Sequence, residues 1–330
     1  MRVTRPNTPG SRRPVRKLPS SNPELALGTF SHGHSAPRSD VGISGTVVKL
    51  VRIAKAAWPE PRKAGATAKE RRLDLFDLTG KVAIITGSSR GIGRAIAEAY
   101  ADAGARVVIS SRKLPACEEV ATAINEKHSE ERAAAIAASI SDKAALEALV
   151  AETRQRFGQI DLLVCNAASN PYYGPMAGIS DEQFRRIFDN NVLANHWLIT
   201  TVAPEMIERK EGSIIIVSSI GGLIGSSVIG AYNVSKAADF QLVRNLALEF
   251  GPHNVRVNAI APGVIRTDFS RALWQDPKAE AALQGVTPLG RIGEPSEIAG
   301  AAVFLASKAG AYVTGQGIVV DGGTTIRGGL

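Results

Sequence analysis

From Leu78 onward, apolar residues gather into short runs of strand length separated by stretches with helical spacing. Lys81-Val82-Ala83-Ile84-Ile85-Thr86 is the first such run, bounded by Gly80 and Gly87. Ile92, Ala95, Ile96, Ala99 and Tyr100 then recur at helical intervals until Gly104 stops the helix. Further strands are predicted at Ala105–Ser110, Ile160–Cys165, Ser213–Ser218, Val255–Ile260 and Gly317–Asp321, with a short one around 133–139. Helices are predicted near 115–127 and 142–157. The strands do not alternate polar with apolar residues, so both their faces are expected to be covered. Strands of that kind separated by helices, with right-handed crossovers, predict one doubly wound, Rossmann-type α/β domain with a central parallel sheet.

Residues 1–72 have a different texture: Arg, Ser, Pro and Gly are frequent and periodicity is weak, which predicts a basic, mostly disordered extension before a catalytic domain at 73–330. Within it, Val47–Trp58 has the pattern of a basic amphipathic helix, read either as a targeting or membrane-surface segment or as an unselected extension. The 330-residue chain has a formal net charge of +8. Residues 1–72 hold 15 of the 39 Lys and Arg but 4 of the 31 Asp and Glu, a local net of +11, which leaves the remainder at −3. Charge therefore gives the body no nucleic-acid partner, and no apolar run of membrane-spanning length gives it a membrane partner. Cys117 and Cys165 are too few for a disulfide framework, and no metal-ligand spacing is present.

The first strand leads into Thr86-Gly87-Ser88-Ser89-Arg90-Gly91-Ile92-Gly93, with glycines spaced G-x-x-x-G-x-G ahead of a helix. Glycines let the backbone approach a pyrophosphate, and the helix start offers free N–H groups to that anion. NAD sites usually place an acid after the second strand to bond the ribose 2′-hydroxyl. Ser110-Ser111-Arg112-Lys113 stands there instead. A guanidinium accepts a 2′-phosphate that a carboxylate would repel, so Arg112, with Arg90 from the glycine loop, points to NADP(H).

Tyr232 and Lys236 are four residues apart on a predicted helix and share a face. Ser219 follows a strand at its carboxyl end, where open α/β sheets hold their ligands. A free Tyr has a pKa near ~10, and lowering it by about three units takes about 4 kcal/mol. One ammonium about 4 Å away supplies an energy of that order at an effective dielectric near ~20. Ser219, Tyr232 and Lys236 thus make a site for proton transfer to or from a carbonyl or alcohol oxygen.

Together with Asn166-Ala167-Ala168, Asn191 and Pro262-Gly263, these motifs fall in the order and approximate spacing of the short-chain dehydrogenase/reductases, which the chain resembles over about residues 75–325. Ser110–Lys113, Tyr232–Lys236 and Phe269–Trp274 resemble the NADP-dependent carbonyl/retinal reductase branch. The resemblance implies Tyr232 as general acid/base, Lys236 as the group that lowers its pKa and holds the nicotinamide ribose, and Ser219 as the orienter of the carbonyl. Asn191, on the helix before the Ser219 strand, would hold a water that relays protons to Lys236. Gly87, Ser89, Arg90, Gly91, Ile92, Gly93, Ser111, Arg112, Asn166, Ala167, Pro262, Gly263, Ile265 and Thr267 would border the cofactor. A homotetramer and a small carbonyl or alcohol substrate are also implied, with the helix from Tyr232 to Phe250 at one interface. Tyr172, Tyr173, Phe269, Leu273 and Trp274 are candidate walls of an apolar substrate cleft. The end Arg327–Leu330 differs from a Ser-Lys-Leu peroxisomal address, and a cytoplasmic location is expected. Two other readings stay open: a 3-oxoacyl-carrier-protein reductase, with Arg266, Arg271 and Arg291 as a basic patch for the carrier, and a non-catalytic NADP-binding protein.

Overall fold

The computed structural model describes residues 75–327. The basic extension and the amphipathic stretch Val47–Trp58 lie outside the described residues. Seven parallel strands form one sheet in the order β3-β2-β1-β4-β5-β6-β7: β1 (Val82–Thr86), β2 (Arg106–Ser110), β3 (Ala133–Ala135), β4 (Leu162–Cys165), β5 (Gly212–Val217), β6 (Val255–Pro262) and β7 (Gly317–Val320). The helices named here are α1 (Gly91–Asp102), α2 (Leu114–His128), α3 (Lys143–Phe157), α4 (Asp181–Phe188), α5 (Ala194–Arg209), α6 (Gly230–Phe250), α7 (Arg271–Trp274), α8 (Pro277–Val286) and α9 (Pro295–Ala306).

The unbroken apolar runs have a direct cause. Successive side chains on a strand point to opposite faces, and here both faces are covered. Ile84, Val108, Leu163, Ile214, Ile216 and Val257 enter a core shared with α3, α5 and α6. Their neighbours Ala83, Ile85, Val107, Ile109, Val164 and Ile215 enter a second core shared with α1, α2 and α9. Each isoleucine so buried contributes about 1.5–3 kcal/mol relative to exposure, so a register slip in any central strand is strongly disfavoured.

The strand order reverses between β1 and β4, which opens a crevice at the carboxyl ends of these two strands. Structure and sequence reading differ in three places. The strand expected around 133–139 is only three residues long. Asn125 explains its start: its side chain accepts the Ala133 N–H and donates to the Ala133 carbonyl. The region after β6 folds into the short helices α7 and α8, which the pattern does not reveal. Between α4 and α5 the chain makes a π-helical turn, Asp189–Leu193, in which the Ala194 N–H bonds the carbonyl of Asp189 five residues back. Among the described residues no helix is long and apolar enough to cross a membrane.

Candidate active site

The glycine loop is fixed by backbone geometry and by serines. Gly87 and Gly91 have φ of +66° and +58°, in the left-handed region that favours glycine. Gly93 answers to a different constraint: a Cβ there would lie 2.5 Å from both Asn166 Nδ2 and the Gly87 carbonyl oxygen. Ser88 ties the loop to β2, donating to the Ile85 carbonyl (2.6 Å) and accepting the Ser110 N–H (2.9 Å). Helix α1 begins without a side-chain cap and without an acid in its first turn, so Ser89, Gly91 and Ile92 sit at an open helix start.

Asn166 joins the ends of β1 and β4. Its N–H donates to Thr86 Oγ1 (3.0 Å) and its amide to the Thr86 carbonyl (2.9 Å), while Ala167 N–H shares Thr86 Oγ1 (3.1 Å). At the end of β2, Ser111 lies against Cys117, with 3.1 Å between Oγ and Sγ. Arg112 and Lys113 are exposed and enter no ion pair among the described residues. Arg90 instead faces across the loop to Asp268, at 3.3 Å. Beyond β6, Gly263 N–H bonds the Val320 carbonyl (2.9 Å), and Ile265 pairs with Gly293. Thr267 then folds back over the glycine loop, its methyl 3.2 Å from where a Cβ on Gly91 would stand. Pro262, Gly263, Ile265 and Thr267 therefore meet the loop from the opposite side of the crevice.

Ser219 directly follows β5, and its hydroxyl accepts the Gly221 N–H (3.0 Å). Tyr232 and Lys236 share the inner face of α6, with Lys236 Nζ 5.8 Å from the Tyr232 ring centre. Phe269 also lies beside the phenol, 6.1 Å between ring centres. Of the five candidate cleft-wall residues, Phe269 is the one whose ring lies against Tyr232, tilted by 43°. Tyr172 turns its hydroxyl to the Pro175 carbonyl, Tyr173 is exposed, and Trp274 lies under Arg266. Burial pushes the Tyr232 phenol above its ordinary pKa, although Lys236 and the Ser219 hydroxyl pull against it. The net direction in the protein without cofactor is thus up, against the fall expected from one lysine, because the phenol is almost wholly removed from water.

Lys236 accounts for the rest of the difference. It is buried, and its Nζ donates to the Val217 carbonyl (3.0 Å) and to Asp239 Oδ2 (3.0 Å). Burial alone would lower its pKa, but Asp239 and Tyr232 outweigh this and hold it above the ordinary value. Asp239 is wholly buried and also accepts from Asn195 Nδ2 (3.2 Å). Neither residue is singled out by the sequence. The signal available was an acid three residues beyond Lys236, on the same helical face.

Asn191 lies in the π-helical turn and not, as the sequence suggests, on the helix that carries His196. It is fully buried. Its Oδ1 accepts the Ser169 N–H (2.8 Å), and its Nδ2 donates to the Ser169 carbonyl (3.0 Å) and Ser235 Oγ (3.1 Å). Its main-chain carbonyl accepts Asn195 Nδ2 (2.7 Å). A chain of side chains, Asn195 and then Asp239, thus links Asn191 to Lys236.

With this geometry in hand, similarity to known proteins is informative. The family profile described as Enoyl-(Acyl carrier protein) reductase matches residues 87–325. Dehydrogenase/reductase SDR family member 4 of Bos taurus is 41% identical over 269 residues, covering 81% of this chain and 94% of that protein. Among solved structures, a gluconate 5-dehydrogenase from Burkholderia cenocepacia in complex with NADP and tartrate superposes with a TM-score of 0.74. It is 32% identical, and the match covers 78% of this chain and all of that one. A 7α-hydroxysteroid dehydrogenase complexed with NADH and 7-oxo glycochenodeoxycholic acid gives 0.73 at 38% identity, over 76% of this chain and 96% of that one. Fold, motif order and these similarities agree: the chain belongs to the short-chain dehydrogenase/reductase family, oxidoreductases that work with a nicotinamide cofactor.

Proposed function

We propose that the protein is an NADP(H)-dependent oxidoreductase that interconverts a carbonyl with a primary or secondary alcohol. The observation that carries this reading is the convergence of the Tyr232 phenol, the Ser219 hydroxyl and the Lys236 ammonium at the carboxyl end of β5, across the crevice from the glycine loop. When bound, the nicotinamide supplies or takes the hydride. Tyr232 donates its phenolic proton to the oxygen that becomes the alcohol, and in the reverse direction the phenolate takes it back. Ser219 donates a hydrogen bond to the same oxygen and so fixes the carbonyl against the phenol. Lys236 sets the proton affinity of Tyr232 and would hold the ribose of a bound cofactor. Asn191 holds the loop after β4 against α6 through Ser169 and Ser235.

The residues of the crevice fit a dinucleotide bearing a 2′-phosphate. The start of α1 is uncapped, and Arg112 and Lys113 enter no ion pair among the described residues at the place where an NAD site has an acid. The similar proteins include complexes with NADP and with NADH, so the choice rests on these residues. Phe269 beside Tyr232 favours an apolar substrate. The carrier-protein alternative loses support, because Arg266 is paired with Glu280 and Glu294, Arg271 with Asp268 and Arg291 with Glu297. A homotetramer is part of the same proposal.

Purified protein is expected to consume NADPH with at least one member of a panel of ketones, aldehydes, retinal and 3-oxoacyl thioesters. Tyr232→Phe is expected to lower kcat by about 10²–10⁴-fold. Tight NADPH binding with no turnover would instead make it a binding protein, and better kinetics with NADH would overturn the cofactor assignment.

A further inference from the structure

The Lys236–Asp239 pair is not explained by the reaction as stated above. A lone ammonium beside Tyr232 would stabilise the phenolate, yet a carboxylate occupies the other side of that ammonium at 3.0 Å. Both side chains are out of water, Lys236 at 2% exposure and Asp239 at 0%, so their interaction is little screened. Burial pushes the Asp239 carboxyl above its ordinary range, while Lys236, Asn195 and Ser218 pull it back down; as an ion pair the two carry no net charge, and Tyr232 faces a neutral pair where a single cation would otherwise stand.

We infer that Asp239 is a positioning residue that fixes Lys236 against the Val217 carbonyl and balances its charge, keeping Tyr232 protonated to higher pH and poising the site for carbonyl reduction. This rests on the proposed role of Tyr232 as proton donor. The carboxylate is itself built in. Asn195 Nδ2 donates to its Oδ1 while holding the Asn191 carbonyl, and Ser218, whose hydroxyl donates to the Lys236 carbonyl at 2.8 Å, lies beside it. The titratable groups acting on the pair are Tyr232 from the same helix and Cys165 from β4, whose thiol is pushed up by burial and stays neutral. Asn191, Asn195, Ser218 and Ser235, from the neighbouring elements and α6, add hydrogen bonds but no charge. Among the described residues, Asp239 is the charged group that opposes Lys236 in its effect on the phenol, raising the proton affinity that Lys236 lowers.

The consequence is directional. In reduction the oxygen needs a proton, and a phenol that stays protonated through neutral pH supplies it. In oxidation the base is the phenolate, so alcohol oxidation belongs to alkaline pH. Removing the carboxylate leaves the Lys236 charge unbalanced beside the phenol, so the phenol gives up its proton at lower pH.

The test compares wild type, Asp239→Asn, Asp239→Ser and the charge-conserving Asp239→Glu, with Tyr232→Phe as reference. Two readouts are taken: the ultraviolet phenolate titration, as the difference from Tyr232→Phe, and the pH profile of NADPH-dependent reduction. The expected result is a phenolate step lower by about one pH unit or more in the Asn or Ser variant. The alkaline limb of reduction should move with it, and Asp239→Glu should restore both. Lower activity with an unmoved step and an unmoved limb would overturn the inference and leave Asp239 a packing residue. Either neutral variant that melts cooperatively serves, so poor folding of one leaves the other decisive. Full activity in Tyr232→Phe would defeat the proposed function separately, while the phenolate titration still reads what Asp239 does to Tyr232.

Discussion

The proposed preference for NADP(H) rests chiefly on Arg112. It follows β2, is exposed and has no ion-pair partner among the described residues, so its guanidinium is available to a phosphate. A hydrogen bond to a charged group contributes about 1.5–3 kcal/mol. Arg112→Ala is therefore expected to raise the KM for NADPH about ten- to a hundredfold and leave that for NADH nearly unchanged; an equal rise for both would show that Arg112 does not meet the 2′-phosphate. Arg90 should contribute less, since it must first leave Asp268. At this scale the sequence singled out groups whose placement is set by local spacing: the glycines, Ser219 after its strand, and Tyr232 with Lys236 on one helical face. It did not reveal Asp239. An acid within a helix normally reads as a solvated charge, and only the packing of β5 and α5 against α6 shows that this one is buried against Lys236.

Elements were legible where burial was two-sided. The central strands announce themselves because every residue of β1 and β4 is buried, which leaves no polar positions to blur the run. The segments α7 and α8 bury no residue, so their sequence carries no core-facing periodicity. Helix α9 illustrates a different control on an element. It starts with Glu294 as cap, Pro295 in the first turn and Glu297 closing a capping box, and it packs on α1, where the Tyr100 hydroxyl donates to the Ala302 carbonyl (3.1 Å). Side-chain bonds from Arg291 and the Glu294 N–H hold the Glu297 carboxyl at about 2, below its ordinary 4.5. A depressed pKa means the native state favours the carboxylate, so this contribution is complete above about pH 4.5 and disappears as the pH falls toward 2. Glu297→Gln should therefore lower the Tm slightly near neutrality, and the difference from wild type should close across that acid window. A constant difference at all pH values would assign the effect to packing.

For the whole molecule, the arrangement of exposed apolar groups bears on assembly. The outer face of α6 presents Val234 and Leu248, the latter 81% exposed, and the sheet ends at β7 with Val319 and a fully exposed Tyr312 nearby. An edge strand with open backbone groups and an apolar helix face are two separate surfaces to cover. Two isologous contacts at distinct surfaces generate a tetramer. Sedimentation of the wild type should give four times the chain mass, with Leu248→Glu reducing it to dimers; a wild-type monomer would overturn the proposed assembly. The domain-level reading of the sequence, one doubly wound sheet, needed only the order of strands and helices. Assembly was not legible in the same way, because an exposed leucine on an amphipathic helix looks the same in sequence as a buried one.

The π-helical turn at Asp189–Leu193 has a consequence for what changes this chain tolerates. Each residue of an α-helix advances the winding by about 100°, and the wider turn takes in one extra residue so that Ala194–Arg209 continues in phase with α4. Replacing a letter there disturbs a contact. Dropping one would let the segment rewind as a plain helix with α4 and α5 still in phase, and would remove the bulge that presents Asn191 to Ser169, Ser235 and Asn195. The extra residue of this turn is thus part of the site, since it is what brings the buried Asn191 side chain to Ser169 and Ser235 and its carbonyl to Asn195.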